Sequence, residues 1–496
     1  MKLERGKIGS ALIFAALIAT LALLSFGTVS AAEQHYVNPG ESIQGAIDNA
    51  TAGDIIIVRD GTYTESIAVN KRLTIQSENG ADLTIVHAVD SHIFNITASH
   101  VSIIGFTIEE ASNGCGILIW DVNNCNISNN IVSGNYNGVY LSKSSRNLIY
   151  RNNVLANKNN GIILKEGSTY NQIIKNTAKN NGNSGISLKD SNDNRITNND
   201  LSNNVNYNGI DLTSSNNNEI RNNTANYNHY NGIVLLTSSD NNTIANNTAM
   251  GNGNRGIRLN ASDYNRIIDN DASNSTNYDG IYLSSASNNE IRNNIANSNN
   301  GEGIELRSSN ENIIANNTAK NNTNTGIYLK NSNDNKIIDN DVLNNVNYNG
   351  ISLSSSNNNE IRNNTANYNH YNGIVLWTSS ENNTIANNTA MGNGNRGIYL
   401  KKSNNNEIYL NNFVDNANKN AHSNESTNVW NSSSKITYSY NGSTYIDNMG
   451  NYWGDYTGTD GNGDGLGDSP YIIESDKDEH PLMVPWENYL TALFRT

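Results

Sequence analysis

The C-terminal region contains a glycine-rich loop with acidic and amide side chains at alternate positions. Oxygen ligands at loop positions 1, 3, 5, 7 and 9 are supplied by Asp460, Asn462, Asp464, the main-chain carbonyl of Leu466, and Asp468. Hard cations such as Ca²⁺ prefer oxygen ligands at this spacing, and a glycine at position 6 permits the sharp turn that converges them. We therefore predict a structural calcium site here, with an unliganded Asp/Gly turn as the alternative.

The end of this loop departs from the calcium-loop pattern. Position 12, where an acidic side chain would close the site, is Tyr471. Glu474 and Asp476 follow soon after it and are the candidates for the closing ligand. The flanking helices of an EF-hand are not evident in the sequence, so the predicted role of the ion is to stabilise a cap.

A second group of residues could perform acid–base chemistry on a sugar. Asp211, Arg258 and Glu305 each lie between the Ile and the Leu of a G-I-x-L segment, two repeats apart. Two repeats correspond to about 9.6 Å, which is at the upper limit for a working carboxylate pair. In a second copy of this region Ser352 and Tyr399 replace Asp211 and Arg258, so we favour a non-catalytic role over catalysis.

Four tyrosines could form a carbohydrate-binding surface. Tyr207 and Tyr230 precede the repeat glycine by two residues on successive repeats, and so do Tyr348 and Tyr371. Aromatic faces beside Asn and Asp side chains can stack on sugar rings. The alternative is that these rings only stack on one another to cover a turn.

The element that positions all these residues is a repeat of 22 to 24 residues. A fixed period of this size is typical of a solenoid, in which each coil buries its apolar face against its neighbours. Alternation in the G-I-x-L segment predicts a short half-buried strand. The repeat is marked by glycines at 116, 138, 161, 185, 209, 232, 256, 280, 303, 326, 350, 373 and 397.

Two asparagine columns make the prediction more specific. Each repeat has a further isoleucine eleven or twelve residues after its glycine. The residue three positions after this isoleucine is Asn in all thirteen repeats, including Asn223, Asn247 and Asn270. The residue two positions before that isoleucine is Asn in twelve repeats, and Cys125 is the exception. Stacked amides about 4.8 Å apart can form hydrogen-bonded ladders at the turns. We predict an all-β fold, a right-handed parallel β-helix of about 23-residue coils.

The array contains a long internal duplication. Residues 216–257 recur at 357–398 with only Leu236 and Asp240 replaced, by Trp377 and Glu381. The offset is six coils. Two near-identical patches suit a repeated surface better than a single active site.

The chain divides into four predicted segments. Residues 1–31 carry a basic start, an apolar run and a small-residue cleavage site, which together predict a signal peptide. The alternative is an uncleaved anchor. Residues 33–110 form an N-terminal cap, with a short amphipathic helix after Ser42, and the first coils. Residues 111–412 form the regular coils, and residues 413–496 form an irregular C-terminal cap.

Composition limits the possible partners. The net charge is −14, which disfavours nucleic acid, and no apolar span follows the signal segment. We therefore expect an extracytoplasmic protein, secreted or at the cell surface, without a membrane span in the mature chain. Two cysteines, Cys115 and Cys125, could form a disulfide or remain buried as small apolar residues.

Four features of the sequence carry a family resemblance. The N-terminal runs VNPGESIQGAI (37–47) and GDIIIVRDGTY (53–63), the G-I-x-L coils, and GNYWGDYTGTD (450–460) resemble NosD-type proteins of the pectin-lyase-like β-helix group. The resemblance covers nearly the whole mature chain. It implies a right-handed parallel β-helix and an exported protein. The family's name comes from copper delivery, but the histidines at 87, 92 and 100 favour a surface or capping role over a copper site.

We therefore expect an exported β-helix that binds or organises carbohydrate, such as a cell-envelope glycan, without catalysis. The alternative of a different class is a polysaccharide lyase, epimerase or glycoside hydrolase acting on an extracellular glycan. A structural envelope protein is the third possibility, since one scaffold can host binders, enzymes and rods.

Overall fold

The computed structural model describes residues 32–88, 91–474 and 476–489. It shows a solenoid in which three parallel β-sheets run along the stack of coils. Strands of successive coils pair in parallel and in register, and such connections are right-handed as a rule, so the predicted right-handed parallel β-helix is confirmed. The predicted signal segment, residues 1–31, lies outside the described residues.

The three sheets differ in strand length. Sheet 1 has 16 strands: Ile67–Val69, Phe94–Ile96, Cys115–Trp120, Asn137–Ser142, Ile162–Lys165, Ile186–Lys189, Ile210–Thr213, Ile233–Leu236, Ile257–Asn260, Ile281–Ser284, Ile304–Arg307, Ile327–Lys330, Ile351–Ser354, Ile374–Trp377, Arg396–Lys401 and Lys419–Asn424. Sheet 2 has 17 strands: Gln34–Val37, Ile55–Val58, Thr74–Ser77, Ser102–Ile104, Asn126–Ser128, Leu148–Tyr150, Gln172–Ile174, Arg195–Thr197, Glu219–Arg221, Thr243–Ala245, Arg266–Ile268, Glu290–Arg292, Ile313–Ala315, Lys336–Ile338, Glu360–Arg362, Thr384–Ala386 and Glu407–Tyr409.

Sheet 3 is shorter and is interrupted. Its strands are Gly61–Thr64, Thr84–His87, Thr107–Glu109, Ile131–Ser133, Asn153–Leu155, Thr389–Met391, Asn412–Val414 and Tyr452–Trp453. Between its two parts, single residues such as Thr224 and Thr248 continue the parallel pairing from coil to coil. Each coil therefore has three sides, and the third side narrows to one paired residue in the middle of the array.

The core is a column of small and branched side chains. In one coil Ile210 and Leu212 point inward from sheet 1, Ile220 from sheet 2 and Ala225 from sheet 3, and all four are fully buried. The next coil places equivalent residues beside them, because the strands pair in register. Burial of these side chains supplies the main apolar contribution to stability.

Buried asparagines hold the corners of the coils. The Asn223 amide donates to Asn247 Oδ1 over 3.0 Å, and Asn247 donates to Asn270 Oδ1 over 3.0 Å. Each amide also reaches a main-chain carbonyl, as Asn223 does at Ile196 over 2.9 Å. The predicted ladders are confirmed. A third ladder, which the sequence analysis did not identify, runs through Asn228, whose amide donates to Asn252 Oδ1 over 3.2 Å.

The repeat glycine is required by a close approach between coils. A Cβ atom on Gly209 would lie 2.7 Å from the carbonyl oxygen of Gly232 and 2.9 Å from Asn228 Nδ2. Real Cβ atoms do not come this close to such atoms. The glycine column therefore marks the corner where the third ladder lies directly against sheet 1.

A short helix covers the N-terminal end of the stack. It spans Ile43–Asn49 and buries Ile43 and Ile47 against the first coil. The Ser42 hydroxyl accepts a main-chain N–H of the first turn, and the Glu65 carboxylate accepts the N–H of Ile43 over 2.9 Å. These bonds satisfy orphan donors at the helix start, so the helix forms as the sequence predicts.

At the C-terminal end of the stack, the GNYWGD segment (residues 450–455) ends the asparagine ladder to which Asn223 and Asn247 belong. Asn411 donates to Asn451 Oδ1 over 2.8 Å, and the main-chain N–H of Asn451 donates to Asp478 Oδ2 over 2.7 Å. The Trp453 indole donates to the same Asp478 oxygen over 3.0 Å. A side chain on Gly450 would collide with the Asp478 carboxylate, which explains the glycine at this position.

The rest of the C-terminal cap consists of two antiparallel hairpins and a short helix. Strand Ile436–Tyr440 pairs with Ser443–Asp447, and strand Tyr471–Ile473 pairs with Asp476–Asp478. A 3-10 helix spans Trp486–Tyr489. Within the described residues, no helix combines the length and apolar character needed to cross a membrane.

We expect Asn223→Ala to lower the free energy of unfolding by about 3 kcal/mol, because it leaves several buried polar groups without partners. The exposed Asn206 is the matched control, and Asn206→Ala should change stability by less than about 0.5 kcal/mol. Chemical denaturation followed by circular dichroism measures both variants. Equal stability of the two variants would contradict a structural role for the ladder.

Candidate functional site

The outward face of sheet 1 carries the residues predicted to do chemistry. Asp211, Arg258 and Glu305 all lie in its central column, but Val234 and Tyr282 occupy the strands between them. Asp211 is instead held within its own coil, where its carboxylate accepts from Asn208 Nδ2 over 3.1 Å. The structure therefore places the three residues in one column with an intervening coil between each.

Glu305 is joined by two acids that the sequence analysis missed. One carboxylate oxygen each from Asp279, Glu302 and Glu305 lies within 4.8 Å of the other two. We call these three residues the carboxylate cluster. Asp279 and Glu305 are buried, and Glu302 is half-buried. A group this compact is able to share protons or to bind a cation.

Arginines on the same face hold two of the three acids. Arg255 Nε donates to Asp279 Oδ2 over 2.8 Å, and Arg307 Nε donates to Glu305 Oε1 over 2.5 Å. The Arg255 guanidinium also lies 4.0 Å from the centre of the Tyr282 ring. Glu302 is left without an arginine partner among the ion pairs of the described residues.

Burial and mutual repulsion change how the cluster binds protons. Burial first, and the charge of Asp279 second, raise the pKa of Glu302 to about 8. The same two causes raise the pKa of Glu305 to about 7, although Arg307 opposes them. Carboxylates in such a site cannot all ionise at low cost. The cluster therefore retains a proton near neutral pH, which is unusual for carboxyl groups and is typical of functional sites.

The local fold explains both the cluster and why it was missed. Asp279 and Glu302 immediately precede the repeat glycines of successive coils, at a position filled by Asn208 and Asn349 elsewhere. The predicted acid–base residues all lie between the Ile and the Leu of a G-I-x-L segment, whereas these two acids lie before its glycine. Two successive acids in the column before the glycine were the signal that could have found the site.

A cleft of about 280 Å³ lies beside the cluster on the same face. Its lining includes Glu302, Tyr328, Tyr348, Asn349, Ser352 and Trp377. The Trp377 indole donates to the Ser352 hydroxyl over 3.2 Å, which fixes the orientation of the ring. The cleft thus combines aromatic faces with amide, hydroxyl and carboxyl groups.

The four predicted carbohydrate-binding tyrosines are exposed along one edge of this face. About half of each side chain is accessible: Tyr207 51%, Tyr230 45%, Tyr348 53% and Tyr371 49%. The rings of Tyr207 and Tyr230 are 5.7 Å apart and tilted by 30°. Tyr348 is the member that lines the cleft, so the structure unites one tyrosine of the predicted surface with the carboxylate cluster.

The predicted calcium loop is organised by its own acids. The Asp460 carboxylate accepts three main-chain N–H groups, from Gly463, Asp464 and Gly465, over 2.7 to 3.1 Å. Asn462 donates to Asp464 Oδ2 over 2.9 Å. These hydrogen bonds hold the side chains of Asp460, Asn462 and Asp464 together at the turn.

The distal part of the loop is arranged differently. Asp468 accepts from the N–H of Gly461 over 2.8 Å, and Leu466 packs in the apolar cluster of the cap. Glu474 accepts from Lys419 over 2.7 Å, and Asp476 accepts from Ser423 over 2.8 Å. Both candidates for the closing ligand are therefore engaged elsewhere.

The cysteines and the histidine group have local structural partners. Cys115 and Cys125 are both buried and free, so the disulfide alternative is excluded. His92 Nδ1 accepts the main-chain N–H of Cys115 over 2.9 Å. His87 bonds the Thr64 hydroxyl over 2.8 Å. These contacts agree with capping roles for the two histidines.

Comparisons with known proteins agree with this architecture. The family described as "Right handed beta helix region" matches residues 91–249 and 193–342. The family described as "Periplasmic copper-binding protein (NosD)" matches residues 298–458. A cell surface glycoprotein of Methanothermus fervidus is 41% identical over 127 residues, which cover 24% of this chain and 21% of that protein. The match thus spans about a fifth of the length of that curated relative.

Solved structures share the β-helix at low identity. A Dettilon tailspike protein (gp208) is 16% identical, with a TM-score of 0.38, over 74% of this chain and 68% of that chain. DFA-IIIase from Arthrobacter chlorophenolicus A6 without its lid is 14% identical, with a TM-score of 0.41, over 59% of this chain and 86% of that chain. These likenesses concern the fold alone.

The carboxylate cluster predicts a particular dependence of stability on pH. The folded protein binds the Glu302 proton more tightly than the unfolded chain, so wild type loses stability as the pH rises from 4.5 to about 8. Glu302→Gln removes the part of this loss that Glu302 causes. The melting temperature of the variant minus that of wild type should therefore increase by about 2 °C between pH 4.5 and about pH 8, as measured by calorimetry.

Glu290→Gln is a matched control, for which the change in stability should depend on pH in the opposite direction. The hydrogen bond from Arg292 lowers the pKa of Glu290, so its stabilising contribution is present above the ordinary pKa and is lost as the pH falls. This variant should be less stable than wild type at neutral pH. The same pH trend in both variants would show that the cluster does not retain a proton.

Proposed function

We propose that this chain, which belongs to the right-handed β-helix family, is an extracytoplasmic surface protein that binds carbohydrate on the outer face of sheet 1. The relative from Methanothermus fervidus is a cell surface glycoprotein, and the NosD family is described as periplasmic. The basic and apolar pattern of residues 1–31 supports export. The fold alone does not select a ligand, so the proposal depends on the residues of the outer face of sheet 1.

The observation that carries the proposal is the cleft between Tyr328, Tyr348 and Trp377. Aromatic rings offer flat apolar faces to the C–H groups of a sugar ring, while Asn349 and Ser352 offer hydrogen bonds to its hydroxyls. Binding sites of this kind are mostly apolar, with a few convergent polar groups. The exposed tyrosine edge extends the same surface along the rod.

An envelope glycan is the partner that fits this geometry. The face continues over many coils at about 4.8 Å per coil, which suits an extended polymer better than a compact ligand. The acidic net charge of −14 disfavours nucleic acid as the extended partner. We therefore infer a carbohydrate polymer of the cell envelope.

Hydrolysis of a glycosidic bond is a second candidate function, favoured by the carboxylate cluster. Glu302, which retains its proton near neutral pH, would donate that proton to the glycosidic oxygen as the C–O bond breaks. Asp279, held by Arg255, would supply the second carboxylate. Oxygens within 4.8 Å of one another leave no room for a water between the two acids. Asp279 would therefore attack the anomeric carbon to form a glycosyl ester as the leaving group takes the Glu302 proton, and water would then cleave this ester.

Affinity electrophoresis tests the binding function. We expect gels containing hydroxyethylcellulose, arabinoxylan, galactomannan or dextran to retard the wild-type protein in at least one case. Trp377→Leu should weaken that binding about tenfold, because loss of an aromatic platform costs about 1 to 1.5 kcal/mol. The same mixtures should be assayed for new reducing ends, which hydrolysis releases and Glu302→Gln should abolish.

The internal duplication makes Trp377→Leu a controlled change, because Leu236 occupies the equivalent position in the first copy. The variant should therefore fold normally. Tyr264, which is 58% exposed at a turn, is the control for loss of an exposed ring. Unretarded migration of wild type in all four gels would refute the proposed function.

We also propose that Asp460, Asn462, Asp464, Leu466 and Asp468 bind a structural Ca²⁺ ion. The Asp460 hydrogen bonds already form the turn that a calcium loop requires. Because Tyr471 is not a ligand type for this ion, water must complete the shell, and the affinity should be modest.

Calcium removal should loosen the C-terminal cap. We expect 1 mM EDTA to lower the melting temperature of wild type by about 2 °C or more, and calcium to restore it. Asp460→Asn should lower the starting value and abolish the response, as measured by calorimetry. An identical melting temperature of wild type with EDTA and with excess calcium would refute the site.

A further inference from the structure

A second cleft lies on the outer face of sheet 1, near its N-terminal end. Its volume is about 270 Å³, and its lining includes His92, Cys115, Trp120, Tyr136, Asn137 and Tyr140. None of the predicted site residues belongs to it. The strands that form it, Cys115–Trp120 and Asn137–Ser142, are successive members of sheet 1 and pair in register.

Exposed aromatic rings form the walls of this cleft. Trp120 is 43% exposed and Tyr136 is 46% exposed. Lys143 Nζ lies 5.7 Å from the centre of the Trp120 ring, and Lys165 Nζ lies 5.8 Å from that of Tyr140. Cation–π contacts of this kind restrain the rings at the surface. Trp120 and Tyr136 line the same cleft, and exposed apolar rings grouped beside polar groups are a feature of ligand-binding grooves.

Polar groups in the cleft are neutral donors and acceptors. Burial lowers the pKa of His92, so its imidazole is uncharged near neutral pH. Because Nδ1 accepts from the Cys115 N–H, the ring proton lies on Nε2, which is therefore a donor. Burial raises the pKa of Cys115 to about 11, so the group is a thiol rather than a nucleophilic thiolate. The lining residues carry no carboxylate.

We infer that this cleft is a second carbohydrate-binding site, for a neutral sugar unit, which makes the protein bivalent toward one glycan polymer. The inference rests on the proposed function of the first cleft. Aromatic platforms with uncharged hydrogen-bonding groups suit a neutral pyranose ring. The absence of acids among the lining residues separates this cleft chemically from the first one, which contains Glu302.

The two clefts face the same way at a fixed separation. Trp120 and Trp377 lie on sheet 1 strands that are eleven coils apart, which corresponds to about 53 Å at 4.8 Å per coil. A rigid stack holds this distance constant. A long polymer can therefore occupy both sites at once, and its apparent affinity should exceed that of either site by about a hundredfold.

Tryptophan variants test the second site in the four polysaccharide gels named above. We expect Trp120→Ala and Trp377→Leu each to weaken retardation at least tenfold, and the double variant to migrate as in a gel without polysaccharide. Tyr136→Ala should reproduce the Trp120→Ala effect. Tyr264→Ala should migrate as wild type, and circular dichroism with thermal unfolding should verify that each variant is folded.

Three results would overturn the inference, and they differ in what else they overturn. If Trp120→Ala and Tyr136→Ala migrate as wild type while Trp377→Leu is impaired, the first site stands and the second does not exist. If Trp377→Leu alone abolishes retardation, the protein has one site. If wild type is not retarded in any of the four gels, both this inference and the proposed function fail.

Discussion

The in-register stacking of coils is the constraint on which the rest of the structure depends. Each coil leaves polar main-chain groups at its corners, and these groups must be satisfied inside the protein because the corners are buried. The asparagine amides solve this problem by bonding both the next amide and a main-chain carbonyl, as Asn223 does with Asn247 and Ile196. A shift of one residue in any coil would break three ladders at once, so the register of the whole rod is specified.

The same constraint determines where function can be located. Inward positions are apolar, mostly Ile, Leu, Val or Ala, and corner positions are mostly Asn, Ser or Gly, because every coil repeats the contacts of its neighbours. The outward positions of sheet 1 are free of these requirements. Residues placed there stand about 4.8 Å above one another, so a few substitutions on successive coils, such as Asp279 and Glu302, are enough to build a compact site.

Sequence periodicity predicts the fold well because the scaffold columns repeat thirteen times. The glycine spacing and the two asparagine columns, exemplified by Asn223 and Asn218, indicate the coil and its corners. The third column is harder to recognise because Ser275 interrupts it. The carboxylate cluster arises where acids occupy the position before the glycine on two successive coils, beside Glu305. The repeat pattern shows the two acids in one column, but it does not show that Glu305 converges with them. The two clefts depend on the size and exposure of individual side chains, which a repeat pattern does not contain.

The internal duplication separates scaffold from surface. Residues 216–257 and 357–398 share their ladder, core and glycine positions, and one of the two differences between them places Trp377 on the outer face where the first copy has Leu236. Just outside this block the face differs again, since Arg258 corresponds to Tyr399. The scaffold of the two copies is therefore identical, while the outer face of sheet 1 differs between them. The face is free to change because its side chains take no part in the core or in the ladders.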